Sequence, residues 1–138
     1  MSCIIALDVG TKTIGIARAM SVDGLPTPHS TLRRKGLKTD VPKLVHLVEE
    51  LGADTIVVGM PYTLDDTEGR SARLARQVGD ALSLATGITV HYQDERYSTV
   101  VAEERLRAAG LDGFERKKRI DQAAAAVILG DFLASLSR

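Results

Sequence analysis

At 138 residues the chain has the length of one ordinary domain, enough to bury a core without staples. Its apolar fraction of 44% and charged fraction of 26% are those of a soluble globular protein. No run approaches the roughly 18 consecutive apolar residues of a membrane span, and the single cysteine, Cys3, excludes an internal disulfide. Cys3 suits a reducing compartment, so a cytoplasmic location is expected. His29, His46 and His91 lie far apart with no second cysteine near any of them, which speaks against zinc.

In chain order, residues 3–7 form a short apolar run that ends at Asp8, and Val9-Gly10-Thr11-Lys12 makes a turn. With no basic segment before it, this start reads as a first strand and not as a signal peptide. Residues 14–17 continue as a second strand, Asp23-Gly24 is a hairpin-type turn, and residues 29–34 give a third strand. Three strands joined by short turns must run antiparallel. The period then changes: Val41, Leu44, Val45, Val48 and Leu51 recur at helical spacing, starting near Thr39 or Asp40 and stopped by Gly52.

Residues 55–58 are a buried strand, and Leu74, Val78, Leu82 and Ala85 mark a second helix closed by Gly87. Residues 88–92 are a fifth strand. Ala102, Leu106 and Ala109 mark a third helix, and a last helix covers about residues 119–136. Residues 111–118, charged and carrying Gly113, read as a flap or connector before it. Strands alternating with helices imply right-handed crossovers to parallel strands. The expected fold is α/β, in the order βββαβαβαα. It is a mixed five-stranded sheet, three antiparallel strands then two parallel, with helices on both faces. No linker, repeat or low-complexity stretch divides the single domain.

Three acids stand out. Asp8 ends the first strand, and Gln93-Asp94-Glu95-Arg96 follows the fifth, both at C-terminal strand ends where α/β sheets place their ligands. Asp121 shares a helical face with Ala124, Ala125, Ile128, Phe132 and Leu136. An aspartate heading an apolar stripe is costly unless it is paired, bound to a cation, or used as an N-cap. The small run of alanines at 123–126 lets this helix approach the sheet. Three carboxylates on one rim would repel one another and take up protons unless a cation lay between them. Oxygen ligands without His or Cys favour Mg²⁺ or Mn²⁺. In two-metal sites such ions orient an attacking water and stabilise a leaving oxygen, which points to phosphoryl or phosphodiester chemistry.

The formal net charge is zero, but basic residues bunch at Arg33, Arg34, Lys35 and Lys38 and again at Arg116, Lys117, Lys118 and Arg119. Such clusters suit phosphates or plain solvent. Lys12 and Arg96 flank the acids with the same two readings. Arg70, Arg73 and Arg76 share one side of the second helix and read as a solvated face. Gly59 and Pro61 suit a loop beside the acids.

The segments LDVGTKTIGIA (residues 7–17), VVGMPYTLDDTEG (57–69), DERYST (94–99) and RIDQAAAAVIL (119–129) occur in the order and at the spacing of a known family. The chain resembles the Holliday-junction-resolvase-like family of small RNase H-fold proteins, also described as nucleases of pre-ribosomal RNA. The resemblance covers essentially the whole chain. It implies an RNase H-like fold and metal ligands at Asp8, Glu95 and Asp121, the acids already singled out. It also implies a nucleic-acid substrate, either a ribosomal RNA precursor or a four-way DNA junction. Thr13 departs from the family by standing where a basic residue is common, and Tyr97-Ser98 replaces its aliphatic-Thr pair.

Two other readings compete. Asp8-Val9-Gly10-Thr11 also matches the first phosphate turn of actin-like and sugar-kinase phosphotransferases, but those need two lobes and this chain supplies one. A binding or scaffold protein that keeps the fold without catalysis is the second, and the three acids argue against it. A symmetric junction would call for a homodimer, whereas RNA trimming would not.

Overall fold

A computed structural model describes residues 1–62, 69–95 and 97–137. The element order is β1 (Ile4–Val9), β2 (Thr13–Ala19), β3 (Thr27–Arg33), α1 (Leu37–Leu51), β4 (Thr55–Met60), α2 (Arg70–Thr86), β5 (Val90–Asp94), α3 (Ser98–Ala108) and α4 (Gly113–Leu136). The sheet order is β3-β2-β1-β4-β5. β1 pairs antiparallel with β2 and parallel with β4, β2 pairs antiparallel with β3, and β4 pairs parallel with β5. Hairpins made the first three strands antiparallel, and the helical crossovers made the last two parallel.

β1 and β4 run through the middle and are apolar along almost their whole length because both faces are covered. Side chains alternate between the two helical layers. On one side Ile5, Leu7, Ile56 and Val58 pack with Leu44 and Val48 of α1 and Val78 and Leu82 of α2. On the other, Ile4, Ala6, Ala17, Ala19 and Val57 meet Ala125, Ile128, Leu129 and Phe132 of α4. The strand residues on the α4 side are mostly small, so a long helix lies close to the sheet. α3 packs on the back of α4 through Ala102, Ala124 and Val127.

The structure moves several boundaries. α1 begins at Leu37, because Asp40 is no cap: its carboxylate reaches back to the amides of Lys35 and Gly36 at 3.0 and 3.3 Å. β4 runs on through Gly59 to Met60, so Gly59 lies in a strand and not in a loop. β5 is shifted to Val90–Asp94. The largest correction concerns residues 113–118, which are no connector but the first turns of α4. Asp112 caps that helix by accepting the Glu115 amide at 2.9 Å, so Asp121 sits well inside it and is not its N-cap. Leu136, expected on the buried stripe, is 46% exposed.

Candidate active site

Asp8 continues the alternation of Ile4 and Ala6, so its carboxylate is presented to the α4 side of the sheet. Its partner across the antiparallel ladder is Gly15. A Cβ on Gly15 would lie 2.0 Å from the carbonyl oxygen of Asp121 and 2.2 Å from its carbonyl carbon. α4 therefore passes against bare strand backbone, and this contact brings Asp121 beside Asp8. Thr13, one step further along the same face of β2, donates its hydroxyl to Asp121 Oδ2 at 2.6 Å.

Glu95 follows β5 directly and is 9% exposed. Its amide donates to the Met60 carbonyl at 3.1 Å, and Ser98 Oγ donates to Glu95 Oε2 at 3.1 Å. The carboxyl group lies over Gly59, where a Cβ would be 2.8 Å from its carbon and 2.6 Å from Ile128 Cδ1. Two glycines on facing positions of β2 and β4 thus make room for the two outer acids.

Asp8 and Glu95 share a side-chain hydrogen bond. Burial pushes Asp8 up to about 6; the bond from Glu95 opposes this and the charge of Asp121 adds to it. Burial likewise pushes Glu95 up to about 9, reinforced by the charge of Asp8 and their shared bond. The pair therefore keeps a proton at neutral pH, with Glu95 donating to the Asp8 carboxylate. A divalent cation among these oxygens would take the place of that proton, so the donor set fits Mg²⁺ or Mn²⁺. Among the described residues no three acidic, histidine or cysteine side chains stand grouped as they would around a metal ion. Asp8 and Glu95 are the paired donors, with Asp121 near enough for its charge to act on Asp8, and a cation held by so few carboxylates would keep several waters.

A cleft of about 450 Å³ lies against Glu95, lined by Asp94, Tyr97, Ser98, Val101, Val127 and Asp131.

The basic residues separate into distinct groups. Lys12, Arg33, Lys35 and Lys117 are exposed. Arg34 is turned inward, with Nε donating to Asp40 at 3.0 Å and Nη1 to the Gly10 carbonyl at 3.1 Å. Burial alone would raise the Asp40 carboxyl, but the Lys35 amide, the Arg34 guanidinium and the Gly36 amide together hold it below the usual carboxylate range. Arg116 is also engaged internally, donating to Glu103 at 2.9 Å and to the Leu111 carbonyl at 2.7 Å. Lys118 lies over the Phe114 ring at 5.2 Å. Arg96 falls outside the described residues.

Sequence reasoning noted Thr13 and Ser98 only as departures from the family pattern, without their bonds to Asp121 and Glu95, and missed Gly15. The alternation Thr13, Gly15, Ala17, Ala19 held the signal for Thr13 and Gly15. Small residues on one face of a strand announce a close neighbour.

The RuvX Holliday junction resolvase family model matches residues 2–135. A protein of Anaeromyxobacter sp. (strain Fw109-5) described as a "Putative pre-16S rRNA nuclease" is 40% identical over 129 residues, covering 94% of each chain. Among solved structures, the Fowlpox virus resolvase with Holliday junction DNA superposes with a TM-score of 0.62 at 10% identity, over 99% of both chains. RuvC of T. thermophilus with a Holliday junction substrate gives 0.60 at 14% identity, over 98% of this chain and 96% of that one. At such identities these two likenesses establish the RNase H-like fold of the resolvases and nothing further. A match that spans nearly every residue, on a sheet of the expected order, settles the kinship: the chain belongs to the RuvX Holliday junction resolvase family.

Proposed function

We propose that the chain is a divalent-metal-dependent nuclease that hydrolyses phosphodiester bonds in structured RNA, with Asp8, Glu95 and Asp121 as its reacting carboxylates. The observation that carries this reading is the pair of half-buried Asp8 and buried Glu95 with Asp121 near Asp8, acids whose shared charge a cation would satisfy. A ribosomal RNA precursor is the substrate we favour, because a relative 40% identical is described as a "Putative pre-16S rRNA nuclease".

Bound there, Mg²⁺ or Mn²⁺ would polarise a phosphate oxygen and acidify a water. The chain's own residues do the rest. Asp8 and Asp121 hold negative charge at fixed places, Asp121 because Thr13 and Gly15 fix its side chain and its backbone. Glu95, held by Ser98, would give up the proton it shares with Asp8 where a cation is bound and present its carboxylate as a ligand. The surrounding apolar residues Ile128 and Val127 restrict water on the α4 side.

The test is a cleavage panel of structured RNA, RNA–DNA hybrid, duplex DNA and four-way junction, each with Mg²⁺, Mn²⁺ or EDTA. Metal-dependent cleavage of structured RNA is expected. Cleavage restricted to the junction would replace the RNA assignment, and binding without cleavage under every metal would overturn the catalytic reading.

A further inference from the structure

A second cleft opens around the turn that leaves Asp8, on the side of the molecule covered by α1 and α2. It measures about 400 Å³ and is lined by Thr11, Arg34, Lys35, Gly36, Arg70 and Leu74. Three segments build it: the turn that follows Asp8, the junction of β3 with α1, and the first residues of α2.

Its cations have different tasks. Arg34 is neutralised by Asp40, with the two side chains 10% and 0% exposed. Its second bond, to the Gly10 carbonyl, ties the turn after Asp8 to the start of α1. Arg34 is therefore a wall, not a hand. Lys35 gives its amide to Asp40 and keeps its side chain outside. Arg70 is exposed at the first position of α2, where the first turn holds no acid to balance it. The helix dipole makes that end unfavourable for a cation. Among the described residues neither Lys35 nor Arg70 forms an ion pair. Two cations without an ion-pair partner among the described residues, set in a concave site, focus positive potential there.

We propose that Lys35, Arg70 and the Thr11 hydroxyl together hold one backbone phosphate of the substrate, next to the phosphate being cut. The strand then runs from the carboxylate edge over the β1–β2 turn toward α2, and Arg70 is a substrate-positioning residue. This rests on the nuclease reading above. The fixed Arg34–Asp40 pair keeps the flanking subsite in register with Asp8, since the same guanidinium holds the turn between them.

The test compares wild type with Lys35→Gln, Arg70→Gln and the double variant, using a labelled RNA stem–loop or four-way DNA junction in EDTA, whichever the wild type binds. Lys43→Ala, a cation on α1 outside this cleft, is the control. Each phosphate neutralised contributes about 0.7 to 0.9 to the slope of log K against log salt. If both residues hold one phosphate, the double variant loses about one such increment and not two. Its affinity then changes about threefold less than wild type between 50 and 200 mM salt. The single variants account for most of that loss, Lys43→Ala keeps the full slope, and all variants melt within a few degrees of wild type. A double variant with the wild-type slope, in a protein that still cuts, overturns the subsite and leaves the nuclease reading standing. Loss of two increments assigns Lys35 and Arg70 to separate phosphates and overturns the shared grip. A wild type that binds neither nucleic acid in EDTA, yet cuts with Mg²⁺ or Mn²⁺, overturns the metal-free subsite alone, and one that neither binds nor cuts overturns both readings.

Discussion

Gly15→Ala should damage stability and activity together. The new Cβ would lie 2.0 and 2.2 Å from the carbonyl oxygen and carbon of Asp121, and 2.8 Å from the Gln122 amide nitrogen. Ordinary contact needs about 3.4 Å or more, so α4 must retreat by over an ångström, and the obstacle is helix backbone with no rotamer to change. Overpacking of this kind costs about 1–3 kcal/mol, and the rigidity of a long helix places it near the upper end. Removing a glycine from a strand returns only about 0.5–1 kcal/mol, which does not reverse the sign. A net loss of about 2 kcal/mol in a domain of this size lowers Tm by roughly 6–10 °C. Because the displaced segment carries Asp121 and its bond to Thr13, a shift of about an ångström should lower kcat about a hundredfold. Thermal melting and single-turnover cleavage on the same preparation check both effects. A variant that melts within 2 °C of wild type (about 0.5 kcal/mol by the same conversion) and cuts normally would refute the claim that bare backbone at Gly15 seats the helix.

Gly59→Ala is the companion case: its obstacles are side-chain ends, Ile128 Cδ1 and the Glu95 carboxyl, so cleavage should fall while Tm moves by less than in Gly15→Ala. Asp8→Asn should cut at least about a hundredfold more slowly, the equivalent of about 3 kcal/mol, yet melt no lower than wild type in EDTA. The raised folded pKa values of Asp8 and Glu95 contribute stability that is present in acid and lost as pH rises through about 6 and then about 9. The metal-free wild type should therefore melt lower at pH 8 than at pH 5, a difference that Asp8→Asn shrinks and that Mg²⁺ reverses. Asp40→Ala should cost about 3–5 kcal/mol at pH 7 by stranding the buried Arg34 guanidinium, measured by urea unfolding. Asp40 has the opposite sign to Asp8: its folded pKa is lowered, so its contribution is present at neutral pH and disappears as pH falls through that value. The gap between Asp40→Asn and wild type should accordingly close only in acid, below the usual carboxylate range.

The order of elements, the strand directions and the placement of the three acids at strand ends and on the last helix were readable from the sequence because each rests on a strong local pattern. Apolar runs ended at Asp8 and just before Glu95, and helical spacing put Asp121 in line with Ala124, Ala125 and Ile128. The α4 start was misplaced because Gly113 and the charges after it resemble a loop. The deciding feature was Asp112 followed three residues later by Glu115, a cap and an acid in the first turn. The basic clusters were legible only as composition. Arg33, Arg34 and Lys35 are neighbours in sequence, but Arg34 points inward to Asp40 while Lys35 stays in solvent. No periodicity predicts that division, since it depends on where the Asp40 carboxylate arrives after α1 has formed. Arg116 was turned inward by Glu103, a contact made across two helices.

The layering of the sheet explains how a chain of zero net charge can still be electrostatically directional. Alternation along β1 sends Ile5, Leu7 and Val9 to the α1–α2 layer and Ile4, Ala6 and Asp8 to α4. Acids meet on the α4 side, where glycines and alanines let a helix come close enough to add Asp121. Cations collect on the other side, where Lys35 and Arg70 stand over the turn leaving Asp8. On the proposed reading, the edge of one strand separates the acids that would take a divalent cation from the cations that would take a phosphate. A polyanion crossing that edge meets the cleft first as bare positive charge and the carboxylates only through a cation. The cation and the substrate should therefore bind with positive coupling: Mg²⁺ lowers the repulsion that Asp8 and Asp121 impose on a phosphate, so nucleic-acid affinity should rise with Mg²⁺ in a Glu95→Gln variant held from cutting. Equal affinity in Mg²⁺ and EDTA, at matched ionic strength, would mean that the phosphate path avoids the three acids.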